Sequence, residues 1–246
     1  MSDAWVHGRA ALVTGAAKRL GRAIAVGLAG EGASVVVHYH SSHDEAEAVC
    51  DELAEVGVEA WPLQADLSSP QEAQRLIPRA AELAGPLQVL VNSASIFEPS
   101  TLADVTFDEV VQNATVNAWG PFAIMRAFAG QKIDEGSVLN LLDTRVHGFD
   151  LSHVAYILSK HLLLQLTRMT AVEYAPRVRV NAVAPGLILP PPGQDESYLQ
   201  ALAGSLPLQR HGGAQDIVDA ALYLIEARFV TGQVIYVDGG RHLRGD

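Results

Sequence analysis

Apolar runs of strand length alternate with longer segments of helical period along this whole chain, and that alternation decides most of what it can fold into. Strands fit Ala10–Val13, Ser34–Tyr39, Val58–Leu63, Leu87–Val91, Ser137–Leu142, Val178–Val183 and Val234–Val237. Helical periods fit Arg22–Ala29, about Asp44–Val56, Gln71–Leu83, Phe107–Phe128, His153–Tyr174 and Ala214–Ile225. Strand, helix and strand in succession form crossover units whose strands lie parallel. The strands are also continuously apolar, as strands covered on both faces are. The expected fold is α/β: one domain over residues 1–246, a doubly wound, Rossmann-type parallel sheet of about seven strands with helices on both faces.

A composition of 49% hydrophobic and 18% charged residues supplies the core that such a sheet requires and excludes a disordered chain. The formal net charge of −11, from 17 basic against 28 acidic residues, repels nucleic acid and anionic membranes. Runs such as Ser34–Val37 and Val138–Leu142 fall far short of the roughly 20 apolar residues of a membrane span. Met1–Ala10 carries Asp3, His7 and Arg9 in place of a signal peptide's apolar core. The single cysteine, Cys50, has no internal partner, and the nine histidines show no metal-ligand spacing, so no metal site is expected. These features predict a cytoplasmic protein whose partner is a small molecule. Pro190-Pro191-Pro192-Gly193 reads as a rigid loop within the domain.

In a doubly wound sheet, ligands bind beyond the carboxyl ends of the strands. After the first strand comes Thr14-Gly15-Ala16-Ala17-Lys18-Arg19-Leu20-Gly21, leading at once into a helix. Gly15 permits a tight turn, the small Ala16 and Ala17 admit a ligand to the backbone, and Gly21 permits close helix packing. The free N–H groups and positive dipole end of that helix suit a pyrophosphate. Arg19 stands where many dinucleotide folds have a third glycine, and its guanidinium adds a phosphate-binding fork. The second strand ends His38-Tyr39-His40-Ser41-Ser42, without the acid that would accept ribose hydroxyls and repel a 2′-phosphate. His40, Ser41 and Ser42 are the candidates for that phosphate, and NADPH is the expected cofactor.

Tyr156 and Lys160 stand at i and i+4, on one face of the last long helix but one. A tyrosine of pKa about 10 gives up its proton reluctantly, and an ammonium one turn away stabilises the phenolate. With the Gly15 turn, this pair makes the chain resemble the short-chain dehydrogenase/reductase family along essentially its full length. The matching segments are Thr14-Gly15 with Leu20-Gly21, Ala65-Asp66-Leu67, Asn92-Ser93-Ala94-Ser95, Asn117, Tyr156 with Lys160, Pro185-Gly186 and Val237-Asp238-Gly239-Gly240. The resemblance implies that Asp66 and Leu67 sit by the adenine and that Asn92, Ser93 and Ala94 run along the cofactor. It implies further that Asn117 holds a water in a proton relay with Lys160, that Lys160 binds the nicotinamide ribose, and that Pro185-Gly186 borders the nicotinamide. It also implies a homotetramer.

One position departs from the family. Where relatives place a serine, 13 residues before Tyr156, this chain has Asp143. A hydroxyl donates to a substrate carbonyl; an ionised carboxylate only accepts and repels an electron-rich oxygen. Asp143 therefore favours a substrate offering N–H groups or a ring nitrogen. With Arg19 and the His38-Tyr39-His40 strand, it is similar to the pteridine reductase branch. The ending from Phe229 through Arg244 is similar to the bacterial dihydromonapterin reductases within it. That branch implies substrate contacts from Arg19, Ser95, Phe97, Asp143 and Tyr156, with Phe97 sandwiching a flat pterin ring. Leu187–Ser197 is expected to cover the substrate. The expected activity is NADPH-dependent reduction of a dihydropterin or dihydrofolate. The alternatives are a carbonyl reductase acting on 3-oxoacyl or sugar substrates and a catalytically silent NADP-binding sensor.

Overall fold

Each of the first six strands of the computed structural model, which describes residues 4–191 and 193–244, leads into one or more helices that return the chain to the start of the next strand. The strands are β1 (Ala10–Thr14), β2 (Ser34–Tyr39), β3 (Ala60–Gln64), β4 (Val89–Asn92), β5 (Gly136–Leu141), β6 (Val178–Pro185) and β7 (Val234–Val237). The helices are α1 (Arg19–Gly30), α2 (His43–Glu55), α3 (Pro70–Ala84), α4 (Phe107–Ala114), α5 (Gly120–Ala129), α6 (Val154–Glu173), α7 (Glu196–Ala203) and α8 (Ala214–Glu226). All seven strands join one sheet in the order β3-β2-β1-β4-β5-β6-β7, every pairing parallel. The chain winds outward from β1 to β3, then crosses to β4 on the other side of β1. The crevice at that reversal is where open α/β sheets bind ligands. Pro62 lies in β3, an edge strand, where a missing N–H is tolerated.

The pleat divides the core in two. In β1, Ala10 and Leu12 face a layer formed by α3, α5 and α6, while Ala11 and Val13 face α1, α2 and α8. Phe128, Leu76, Ile124 and Met125 fill the first layer; Ile24, Leu28 and Leu53 fill the second. At the far end of the sheet the Arg179 guanidinium donates to the Leu224 and Ala227 carbonyls, which closes the end of α8.

Three features differ from the sequence expectation. The segment expected as one helix over Phe107–Phe128 is α4, a wide π turn over Thr115–Trp119, and α5. Apolar spacing continues through the break, so periodicity does not register it. The Gly120-Pro121 pair does, because proline suits a helix's first turn. Thr115 also bonds back to the Val111 carbonyl at 2.7 Å, the local competition that bends helices. Second, α7 is an additional helix, begun by Asp195 accepting the Ser197 N–H at 2.9 Å. Third, Thr144–His147 and Arg241–Arg244 form 3-10 turns beyond β5 and β7. Of the expected proline loop, Pro190, Pro191 and Gly193 are described and Pro192 lies outside the described residues, as do Met1–Asp3 and Gly245–Asp246. Among the described residues no helix is long and apolar enough to cross a membrane.

Two glycines of α1 test how tightly the first turn is built. A Cβ on Gly21 would stand 2.2 Å from the Gly15 carbonyl oxygen, whereas one on Gly30 would meet nothing within 4 Å. Gly21→Ala is expected to lower stability by about 1–3 kcal/mol through forced backbone shifts. Gly30→Ala is expected to be neutral or to gain up to about 1 kcal/mol from reduced chain entropy. Urea unfolding of the two variants checks the contrast.

Candidate active site

The turn after β1 is held by a buried histidine. Gly15, at φ +64°, donates its N–H to His38 Nδ1 at 3.1 Å, and Ala16 donates to the His38 carbonyl at 2.9 Å. The other ring nitrogen of His38 lies 3.2 Å from the Ala65 carbonyl oxygen. These partners require Nδ1 bare and Nε2 protonated. Burial pushes the His38 pKa down to about 4, so the ring stays neutral and keeps that tautomer. Thr14 Oγ1 accepts the N–H groups of Ser93 and Ala94 at 3.0 and 3.1 Å, tying the turn to the end of β4. A Cβ on Gly15 would come within 2.9 Å of Ala94 Cα, so a glycine is required there.

Arg19 adopts φ +54°, the left-handed backbone that suits the glycine many dinucleotide folds carry at this position. A non-glycine residue there costs on the order of 1 kcal/mol or more. Its Nη2 donates to the Pro190 carbonyl at 2.9 Å, linking the turn to the loop expected to cover the substrate. The first turn of α1 has no side-chain cap and no acid, whereas Ser69 caps α3 and Thr106 caps α4. Uncapped amides, a positive dipole end and an exposed guanidinium make an anion site that fits a dinucleotide pyrophosphate. Leu20 and Gly21 lie in the same turn.

Beyond β2, His40 and Ser41 are exposed and Ser42 precedes α2. His40 lies 3.9 Å from Asp66, whose carboxyl the Ser68 hydroxyl and N–H hold below the usual range. Leu67 is buried beside it. Across the rim, the Gly186 N–H donates to the Val237 carbonyl at 3.0 Å, and a Cβ on Gly186 would come within 2.5 Å of Asp238 Cβ. Pro185 ends β6 just before it.

Asp143 and Tyr156 meet at the carboxyl end of β5. The Tyr156 hydroxyl donates to Asp143 Oδ2 at 3.2 Å, and the Asp143 side chain is only 13% exposed. Lys160 Nζ donates to the Leu141 carbonyl at 2.8 Å and lies 5.5 Å from the centre of the Tyr156 ring. Burial lowers its pKa to about 8. Burial first and the Asp143 charge second raise the Tyr156 phenol well above its ordinary value.

Asn117 occupies the π turn. Its side-chain N–H groups donate to the Ile96 carbonyl and Ser159 Oγ, both at 3.0 Å. Its oxygen accepts the Ile96 N–H at 2.9 Å and the Ser95 hydroxyl at 3.1 Å. Asn117 thus holds the segment after β4 against α6. Asn92 is also buried and donates to Asn140 at 2.8 Å. Phe97 projects from this segment, 41% exposed, with the His153 ring stacked on one face at 4.1 Å and the Tyr156 ring edge-on at 4.7 Å.

Sequence reasoning did not single out Arg145, Asp150 or His153. Arg145 Nε donates to Asp143 Oδ1 at 3.1 Å, and its Nη1 pairs with Asp150. His153 Nδ1 lies 2.9 Å from Asp150 Oδ2. Against the cost of burial, the Ser152 N–H and the Arg145 charge hold Asp150 below the usual carboxylate range. The signal was a charged residue two positions beyond Asp143, at the same strand end. The next residue, Thr144, donates its hydroxyl to Asp238, which also accepts the Gly240 N–H at 2.9 Å and the His242 N–H at 2.8 Å. The Asp143 turn is therefore tied to the end of β7.

Comparison with known proteins gives a consistent picture. Residues 15–242 match the family described as enoyl-(acyl carrier protein) reductase. The chain is 34% identical to an uncharacterized oxidoreductase of Methylorubrum extorquens, over 96% of this chain and 98% of that protein. It is 32% identical to a 3-oxoacyl-[acyl-carrier-protein] reductase of Staphylococcus epidermidis, over 96% and 99%. Among solved structures, alternative dihydrofolate reductase 1 (FolM) of Brucella canis, complexed with NADP, superposes with a TM-score of 0.90 at 34% identity, covering 97% of this chain and 96% of that one. A blue fluorescent protein from a metagenomic library, in complex with NADPH, superposes at 0.89 with 31% identity, covering 96% and 98%.

The Lys160 ammonium gives a pH signature. Between about pH 8 and the ordinary lysine value of 10.5, the unfolded chain holds this proton and the folded chain does not, so stability rises with pH across that window. Relative to Lys160→Met, the wild type is expected to gain roughly 2–3 kcal/mol between about pH 7.5 and 10, measured by urea unfolding. Tyr156, which holds its proton more tightly when folded, acts in the opposite direction only above about pH 10. Parallel curves for the two proteins would show Lys160 unshifted.

Proposed function

Because the chain belongs to the short-chain dehydrogenase/reductase family, we propose that it is an NADPH-dependent reductase of a dihydropterin or dihydrofolate. One observation carries this reading: Asp143, in place of the family's serine, lies against Tyr156 with its carboxylate in hydrogen-bond reach of the phenol. A ketone oxygen would meet one donor and one anion there. A ring bearing N–H groups would meet an acceptor and a proton source. The likeness to the Brucella dihydrofolate reductase supports the same substrate class.

Gly15, Arg19, Leu20 and Gly21 would hold the cofactor pyrophosphate, with His40, Ser41 and Ser42 at the 2′-phosphate and Asp66 and Leu67 at the adenine. Asn92, Ser93 and Ala94 would line its path, Lys160 would bind the nicotinamide ribose, and Pro185 and Gly186 would border the nicotinamide. When bound, the cofactor supplies a hydride for the carbon of a ring C=N bond. Tyr156 holds the proton for the adjacent nitrogen, and Asp143 accepts substrate N–H groups and orients the ring. Lys160 keeps a positive charge near the phenol, and Asn117 keeps Ser95 and Ile96 in place beside it. Phe97 offers the face not covered by His153 to a flat ring. Arg19 reaches both pyrophosphate and substrate. On α6, Leu163 and Leu164 are buried, whereas Leu158, Leu162, Met169 and Val172 are exposed along a stripe where other copies of the chain would pack in a homotetramer.

The second reading is a carbonyl reductase, favoured by the likeness to the 3-oxoacyl reductases. NADPH oxidation is followed by the absorbance of the reduced cofactor with a dihydropterin and, separately, with a 3-oxoacyl thioester. The dihydropterin is expected to be the better substrate, and Asp143→Ser is expected to slow its reduction by about tenfold or more. Turnover of the thioester alone, or a faster enzyme after Asp143→Ser, would establish the carbonyl reading instead.

A further inference from the structure

Asp143 is more heavily engaged than a carboxylate waiting for substrate needs to be. Its Oδ1 accepts the Arg145 backbone N–H at 2.8 Å and the Arg145 Nε–H at 3.1 Å. Its Oδ2 accepts Arg145 Nη2 at 3.3 Å and the Tyr156 hydroxyl at 3.2 Å. A carboxylate has about four acceptor positions, so a substrate N–H takes one on Oδ2 as the Tyr156 hydroxyl turns its proton from Asp143 to the ring. Three of the four donors belong to one residue. Arg145 is in turn gripped on its far side by Asp150, which also takes the Ser152 N–H at 2.8 Å and faces His153 Nδ1 at 2.9 Å. The guanidinium lies 5.7 Å from the centre of the Phe97 ring. The charged and titratable groups facing Asp143 and its partner are therefore Arg145 from the turn after β5, Asp150 from the loop before α6, His153 at the start of α6, and Tyr156 and Lys160 within it.

We propose that Arg145 is a positioning residue for the reduction, keeping a cation against the Asp143 carboxylate and turning it toward Tyr156, with Asp150 anchoring Arg145. The proposal rests on the reading of Asp143 as the acceptor for substrate N–H groups. A mostly buried carboxylate that loses its cation takes up a proton more readily, and the protonated acid presents a donor where the ring needs an acceptor. The guanidinium also sets direction, because its planar fork engages both carboxylate oxygens, which a lysine's point charge does not. Charge and geometry thus make separable contributions.

The test is steady-state NADPH oxidation with 7,8-dihydrobiopterin by the full chain as wild type, R145M, R145K, D143N and D143N/R145M, at high enzyme concentration across about pH 5–9. R145M is expected to move the acidic limb of the kcat/KM profile upward by about one pH unit and to lower kcat about tenfold. Its affinity for NADPH, read by fluorescence titration, is expected to stay at the wild-type value. R145K is expected to restore the limb but not kcat. In the D143N background, R145M is expected to change neither. A wild-type limb and kcat in R145M, or the same losses in the D143N background, would overturn the proposal. Should R145M fail to fold, R145K decides: reduced kcat with an unmoved limb supports the proposal, and wild-type kcat overturns it. A fully active D143N, or turnover of a 3-oxoacyl thioester alone, overturns the Asp143 reading and this proposal with it. A normal R145M beside an impaired D143N overturns this proposal alone.

Discussion

Seven parallel strands ending at one rim are the constraint on which the rest of this structure depends. Because no strand runs the other way, the ends of β1, β2, β4, β5, β6 and β7 bring Thr14, His38, Asn92, Asp143, Gly186 and Asp238 toward a common edge. The helices on both faces close the sheet to water, so polar groups near that rim must find one another. Side chains supply the cross-links: Thr14 to the segment after β4, His38 to the Gly15 turn, Asn92 to Asn140, and Thr144 to Asp238. Each joins segments far apart in the chain, and together they tie the Gly15 turn to the strand ends that carry Asn92, Asp143 and Asp238.

At this rim the charges are paired among the chain's own side chains. Asp143 and Asp150 are opposed by Arg145, and Lys160 lies buried behind Tyr156. Removing one member of such a set leaves an uncompensated buried charge, which costs far more than the pair contributes to stability. The arrangement is therefore better understood as an orientation device than as a source of stability. It keeps Tyr156 protonated, as the proposed role of proton donor requires.

Much of this was legible in the residues. The alternating pattern placed all seven strands, and β2 and β7 carry the expected limits, because doubly covered strands and amphipathic helices leave distinct periods. Gly15, Tyr156 and Lys160 stood out because their positions relative to strand ends and helix turns are local properties, and Asp143 stood out through the family resemblance, 13 residues before Tyr156. The π turn at Asn117 did not, since apolar spacing passes through it unchanged. Nor did Arg145, Asp150, His153 and the role of His38. A histidine in a β-branched run looks like any strand residue until its ring is found 3.1 Å from an amide 23 positions away.

The chain's own order of residues determined the class of fold and the types of group that follow the strand ends, because periodicity and spacing act over a few neighbouring residues. Only the tertiary structure decided which of those groups touch, which charges are opposed, and which way each proton is held. Those properties depend on distance and burial between segments such as β5 and α6, and on the low-dielectric surroundings that strengthen every interaction among them.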